Sequence, residues 1–508
     1  MFRFNAGASN LILAFIQRQA VIVLLNIFFF ISGYAQEFRL DTSFGEQGIV
    51  TTQTNHTSEI YDVAHSPDGR IIAVGANVVT QFQMCAYLPN GELDRTFGEE
   101  GILYSNEFSE GSASCLQIQP DLKILASHHK MLIRYLPNGE YDNSFGNNGV
   151  VQVPDGNTSG NSFSSVVLLG DGKIIVAGDL DSHFFLLGLQ SDGSIDSTFG
   201  NDGKVSTAFP YQSYILSAIS QTDGKIVVAG ATGDYPKTDF AIARYTRDGK
   251  IDSTFGNNGT ITTEFHPSPF AEAGGSTIKL LPNGKLLVVG SSGFRLAMAR
   301  YHPDGALDSS FAENGKFLSD SLKHGNDVTI LPNNKFVVSS NTKPPGSNSA
   351  FSMLRFKENG SLDSTFGNSG QITLKLSNAD DYTRCITKLS DGEIIVAGSS
   401  GYSSSTPSKF ALAKFVFDGA NSIPDVESQK PWAIYPNPSN SYFTLSSNQT
   451  ITKHHRIELF NALGQSVLKQ NISSSNASVD VRNIPEGIYF YKLFSSKDIV
   501  QQGKIEKR

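Results

Sequence analysis

The residues best placed by type and spacing to do chemistry are aspartates. A motif of the form LDxTFGxxG occurs seven times and carries Asp41, Asp94, Asp142, Asp196, Asp252, Asp308 and Asp363. Carboxylates beside asparagines invite a calcium-binding or catalytic reading, but the repetition argues against both. A catalytic centre needs one constellation, whereas these side chains recur once per repeat and so lie far apart. Calcium takes about six to eight oxygens, usually from several carboxylates, and "IDSTFGNNG" (251–259) supplies a single Asp. Asp in a turn bonds nearby backbone N–H groups, so the motif Asp is expected to cap a turn. A basic column precedes it: Arg134, Arg244, Arg300, Arg355 and Lys414, with Ala86 and Gly188 in the other two places. These cations are expected to pair with the motif Asp, as Arg244 with Asp252, in preference to forming a ring for an anionic ligand. Phe44, Phe97, Phe145, Phe199, Phe255, Phe311 and Phe366 are expected to plug the core between units. The motif's last residue, Gly48 in the first copy and Gly370 in the last, should hold a conformation that Cβ would forbid.

Other reactive side chains form no familiar centre. The sequence holds no H-E-x-x-H helix, G-x-S-x-G elbow, phosphate loop or C-x-x-C pair. His128-His129 lacks a third ligand and reads as loop decoration. Cys85, Cys115 and Cys385 are too few for a disulfide framework. They read as small buried thiols, with one disulfide and a leftover thiol still open. No residue is assigned a catalytic or metal-binding role, and no cofactor is expected.

The elements that must position these residues are strands. The motif Phe residues are spaced by 53, 48, 54, 56, 56 and 55 residues. Each unit has the same order: the motif, a short strand such as "GIVTT" (48–52), a second strand ending at a turn, then an apolar run such as "DGKIIVAG" (171–178). A fourth strand such as "FAIARY" (240–245) follows. Asp-Gly and Asn-Gly favour two-residue hairpins, so the second and third strands should be antiparallel neighbours. Unit two has Asp121-Leu122 and unit six Asn333-Asn334 at this turn. "IIVAG" is apolar on both faces, as a strand covered on both sides should be. Seven units of four antiparallel strands predict an all-β chain with a seven-bladed β-propeller. A β-solenoid usually has a shorter repeat and lacks a hairpin in every unit. The loops between strands one and two and between three and four fall on one end and vary most. Variable loops on a rigid scaffold concentrate binding residues, and Tyr211, Tyr214, Tyr235 and Tyr402 stand there as stacking platforms or as ordinary packing.

These units, by "LDSTFGNNG"-type motifs and "DGKIIVAG"-type strands over roughly residues 37–421, resemble the delta-60 repeat of bacterial extracellular proteins. The resemblance implies a propeller and supplies no activity.

The chain's two ends point outward from the cell. Arg3 and Arg18 precede the 13-residue apolar run "AVIVLLNIFFFIS" (20–32), which is followed by "GYAQ". This pattern reads as a signal peptide over 1–35, too short to span a bilayer unless "LILAFI" (11–16) extends it into an anchor. The propeller is assigned to 36–421, a linker to 422–431 and a small β-sandwich to 432–508. The last segment resembles the type IX secretion C-terminal sorting domain. Tyr435, Pro436, Asn437 and Pro438 match its opening, Asn461, Gly464 and Gln465 its central turn, Gly487 and Tyr489 its G-x-Y strand, and Lys504 and Lys507 its basic end. That resemblance implies export, engagement with the type IX secretion machinery and usually removal of the tail. The product is then secreted or attached to the bacterial cell surface, with no transmembrane span in the mature chain.

At 508 residues the chain suits one large domain and one small one. A net charge of −8 argues against nucleic acid, which needs clustered Lys and Arg. The expected function is a non-catalytic binding or adhesion module for a glycan or peptide. The alternatives are an extracellular carbohydrate- or peptide-active enzyme using the variable loop face, and a passive surface-layer component.

Overall fold

The computed structural model describes residues 38–507 apart from 55, 78–81, 105–112, 153–161, 235–236, 266–272, 320–322, 344–346, 391, 404–406, 418–432, 436–440, 447–454, 462–464 and 496–497. The expected signal segment, the linker, Tyr235, Pro436, Asn437, Pro438 and Gly464 fall outside the described residues. The chain divides into two compact units, residues 1–420 and 421–508.

The first unit is a ring of seven antiparallel sheets, or blades. The inner strands are Ser58–His65, Ala113–Ile118, Ser162–Leu168, Ser213–Ser220, Ala273–Leu280, Lys323–Ile330 and Asp380–Ser390, numbered here as blades 1 to 7. Each touches its two neighbours, and the last touches the first, so the ring is closed. Second strands such as Ile174–Leu180 bury five successive residues, on both faces, because a neighbouring blade covers each face. The hairpin between inner and second strands survives the loss of glycine in blades 2 and 6. Leu122 and Asn334 take its place at φ of 70° and 60°.

Sheet boundaries do not follow the sequence unit. The short strand after each motif closes the blade before it as that blade's outer strand: Ile102–Tyr104 pairs with Phe82–Tyr87 of blade 1. The first such strand, Ile49–Thr52, therefore has no blade of its own before it in the chain. It pairs with Lys409–Phe417 of blade 7, as does Phe38–Leu40. Strands from the two ends of this unit thus complete one sheet.

A glycine interrupts most second strands for a steric reason. A Cβ on Gly75, Gly178, Gly230, Gly290 or Gly398 would lie 1.8–1.9 Å from a carbonyl oxygen of the inner strand. Close by, the inner strand slips register by one residue, which puts Tyr61, Ser164, Leu216, Asn326 and Arg384 at the breaks. Such a bulge re-aims a side chain, and all five line the central channel.

The second unit contains a three-stranded sheet (Ala433–Tyr435, Tyr442–Ser446, Asn476–Asp480) and a four-stranded one. The latter runs in the order Ser466–Ile472, His455–Phe460, Gly487–Ser495 and Asp498–Lys507. Phe443 and Leu445 from one sheet share a buried cluster with Ile457, Leu493 and Ile505 from the other.

Candidate functional site

The motif residues build a fastener between blades. Asp252 Oδ1 accepts from Thr254 N at 3.1 Å and Thr254 Oγ1 at 2.6 Å, while Oδ2 faces Arg244 Nε at 2.8 Å and Lys225 Nζ at 3.1 Å. Burial works to raise the Asp252 carboxyl. The Thr254 hydroxyl and amide, with the two cations, nonetheless hold it well below the usual carboxylate range. The Arg244 guanidinium lies 4.4 Å from the centre of the Phe255 ring and also donates to the Pro303 carbonyl of the next blade. Gly256 N donates to Asp304 O, again on the next blade, at 2.8 Å.

The same arrangement recurs around the ring. Arg134, Arg300 and Arg355 meet Asp142, Asp308 and Asp363 at 2.7, 2.6 and 2.9 Å. Lys414 meets Asp41 at 2.9 Å across the closing sheet. Where Ala86 and Gly188 interrupt the column, the hairpin supplies the cation: Arg70 reaches Asp94 at 3.1 Å and Lys173 reaches Asp196 at 2.6 Å. Phe44, Phe97, Phe145, Phe199, Phe255, Phe311 and Phe366 are all buried. Gly48 and Gly370 have φ of 92° and 99°, the left-handed region glycine favours. The column arginines are buried as well, which leaves no open cationic ring for an anion.

One sequence reading changes, and one open alternative, a disulfide, closes. His128 does not decorate a loop; it ends the second strand of blade 2, fully buried, at the place where other blades have glycine, and meets Phe82 edge-on at 5.8 Å. The cysteines are all buried and unbridged. Burial pushes the Cys85 and Cys115 thiols up to about 12.

The channel along the ring axis encloses about 490 Å³ and is lined by all seven inner strands. Its polar side chains also join blades. Asp62 Oδ2 accepts from Leu116 N at 2.8 Å, Ser165 Oγ from Ala218 N at 3.0 Å, Ser217 Oγ from Ile278 N at 3.3 Å and Asp327 Oδ2 from Ile386 N at 3.1 Å. Each bond runs from a residue just past the register break to the neighbouring blade. Lys279 lies 3.5 Å from Asp327. Burial, with the Asp327 carboxylate second, pushes Asp62 up to about 7.

A departure from sevenfold repetition among the described residues lies at the channel's loop-end mouth, between blades 7 and 1. A second cavity of about 310 Å³ opens there, walled by Glu59, Tyr61, Tyr382, Arg384, Ser399 and Tyr402 among others. Tyr61 and Arg384 also line the channel. Arg384 donates twice to Glu59, at 2.7 and 3.1 Å, and its guanidinium sits 5.9 Å from the Tyr61 ring centre. The Tyr382 and Tyr402 rings meet at 61° with centres 6.1 Å apart. Burial raises the Tyr61 hydroxyl above its ordinary pKa, with Glu59 adding to the effect, so this group stays protonated and can donate.

Of the loop tyrosines, Tyr402 belongs to this cavity, while Tyr211 and Tyr214 are exposed on blade 4. Sequence reasoning missed Glu59, Tyr61, Tyr382 and Arg384. The signal was a comparison of inner-strand columns: blade 3 has Ser162 and Ser164, and blade 5 has Gly274 and Ser276, where blades 1 and 7 have these four.

In the second unit, Tyr435 pairs with Thr444 and Lys504 with Phe490 through their strands. The Tyr489 hydroxyl donates to Pro485 O at 2.7 Å. Gln465 N donates to Asn461 Oδ1 at 2.9 Å and Asn461 Nδ2 to Gln465 Oε1 at 3.0 Å.

Residues 433–506 match the secretion system C-terminal sorting domain. Residues 169–199, 221–255, 281–311 and 331–366 match a domain of unknown function described as a beta-propeller. No curated protein matches the chain. Among solved structures, the extracellular domain of a putative one component system from B. thetaiotaomicron is 9% identical, with a TM-score of 0.40. That match covers 93% of this chain, which spans 58% of the other's length. A protein of unknown function from Dyadobacter fermentans is 12% identical over 73% of this chain and 100% of its own, with a TM-score of 0.38. Sqt1 from Chaetomium thermophilum, bound to the N-terminus of ribosomal protein L10, is 9% identical over 73% and 98%, with a TM-score of 0.40. No helix among the described residues is long and apolar enough to cross a membrane. The chain is a β-propeller with a type IX sorting tail, and it is secreted or displayed on the cell surface.

Proposed function

We propose that the protein is an extracellular binding module whose ligand sits at the loop-end mouth of the ring, with the C-terminal domain serving delivery. One observation carries this reading: a cavity with three tyrosines and a bidentate ion pair occurs at the seam of blades 7 and 1, whereas the motif residues are spent on holding blades together. Concave sites with aromatic walls and a few convergent polar groups are the usual form of ligand pockets. The test is retention of the full chain on glycan and peptide arrays, compared with Tyr402→Ala. Retention lost in the variant supports the reading. Retention identical in both places binding elsewhere, and turnover of an arrayed polysaccharide replaces binding with catalysis.

Delivery has its own test. A chain ending at Gln429 should fold its propeller yet stay inside the cell, measured by surface proteolysis and fractionation of the culture. Normal arrival at the surface would remove the sorting role from the tail.

A further inference from the structure

We infer that the cavity between blades 7 and 1 takes a neutral carbohydrate, one or two sugar rings of a glycan; this rests on the binding reading above. Three features select that chemistry. First, Glu59 and Arg384 neutralise one another through two hydrogen bonds. The site therefore offers no net charge to an anion or a cation. It still presents the remaining guanidinium N–H groups and carboxylate lone pairs. A ligand dense in hydroxyls, each both donor and acceptor, uses both sets at once.

Second, Tyr382 and Tyr402 meet at a steep angle beside that pair. Tyrosine combines an apolar face with a polar tip. A pyranose has the complementary layout, C–H groups on its faces and hydroxyls on its rim. Tyr402 is 48% exposed, which leaves its ring open to a ligand. Third, the cavity is small, and Ser58 on its wall is already paired across the seam. Ser58 N donates to Ser408 O at 3.0 Å and Ser408 Oγ to Ser58 O at 2.9 Å, and Glu59 lies in register with Ala76. The volume of about 310 Å³ stands at the small end for ligand sites, a match to sugar rings rather than to a folded partner.

The experiment is an array carrying neutral glycans, uronate and sialylated glycans, and random peptides, probed with the full chain and three variants. Tyr402→Ala and Glu59→Gln remove a stacking wall and half of the ion pair; Tyr211→Ala is the control on blade 4. The expected result is retention on neutral glycans, weakened about tenfold or more by the first two variants and unchanged by the third. Thermal melts of each variant identify any that fails to fold, and Tyr402→Phe, which keeps the ring, should retain binding. Retention confined to acidic glycans or to peptides, and sensitive to Tyr402→Ala, overturns the carbohydrate assignment while leaving a binding pocket. Absence of any retention sensitive to Tyr402→Ala overturns the assignment and the binding reading together.

Discussion

At each motif, one carboxylate has two jobs. Its first oxygen closes the turn, and its second neutralises a cation, which at Asp142, Asp252, Asp308 and Asp363 is a buried guanidinium stacked on phenylalanine. Removing one partner of a buried pair costs about 3–5 kcal/mol, because the other is left uncompensated; exposed pairs contribute about 1 kcal/mol or less. The two cations on Asp252 separate these cases, with the Arg244 side chain 6% exposed and that of Lys225 31% exposed. Arg244→Met should therefore lower stability by about 3 kcal/mol or more, and Lys225→Met by about 1 kcal/mol or less, read from urea unfolding of the full chain. Equal losses would mean that the stacked guanidinium has no special part in the joint. The depressed motif carboxyls also fix a sign. Their stabilisation is complete above the unfolded value near 4 and is lost as the pH falls through the lower folded value, so acid should unfold the ring by protonating several joints together.

Strand number, hairpin pairing and the loop face were readable because β-branched runs and Asp-Gly turns announce themselves locally. The sheet boundary was not. The motif lies between the third and outer strands of one blade, so a unit counted from motif to motif cuts every sheet in the same place. Nothing local distinguishes an outer strand that closes its own blade from one that closes its predecessor; ring closure decides it. The pocket was hidden for a related reason. Tyr402, at a strand end beside a variable loop, drew notice, whereas Glu59, Tyr61, Tyr382 and Arg384 lie within strands, where residues are first read as packing. The inner strands also carry a testable electrostatic consequence. With its carboxyl raised to about 7, Asp62 keeps a proton in the folded state that the unfolded chain has already lost. Its contribution to stability falls as the pH rises from about 4 to about 7, opposite in sign to that of the motif carboxyls. Asp327→Asn removes the like charge, and the Asp62 carboxyl carbon should then titrate at lower pH by NMR. The variant should lose less stability than the parent between pH 5 and pH 8. An unmoved titration would assign the shift to burial alone.

The ring as a whole depends on a joint that no single repeat contains. Six blades are completed by the strand that follows them in the chain, but the seventh borrows Phe38–Leu40 and Ile49–Thr52 from the unit's beginning. Arrays whose units touch only their neighbours unfold as near-independent steps. A closed ring removes the free ends from which such unfolding starts. The closing strands also cover the third strand of blade 7, where Phe410 through Ala413 are buried; an uncovered strand of this kind recruits other chains through its unpaired edge. Deleting residues 38–52 should therefore do more than subtract two short strands. Calorimetry of the deleted chain should show a transition that is broader and about 5 °C or more lower, and sedimentation should show association absent from the parent. A single sharp transition at the parent temperature, from a monomer, would mean that the seven blades hold together by their inner faces and the six remaining motif joints, without the borrowed strands or the joint at Asp41 and Phe44.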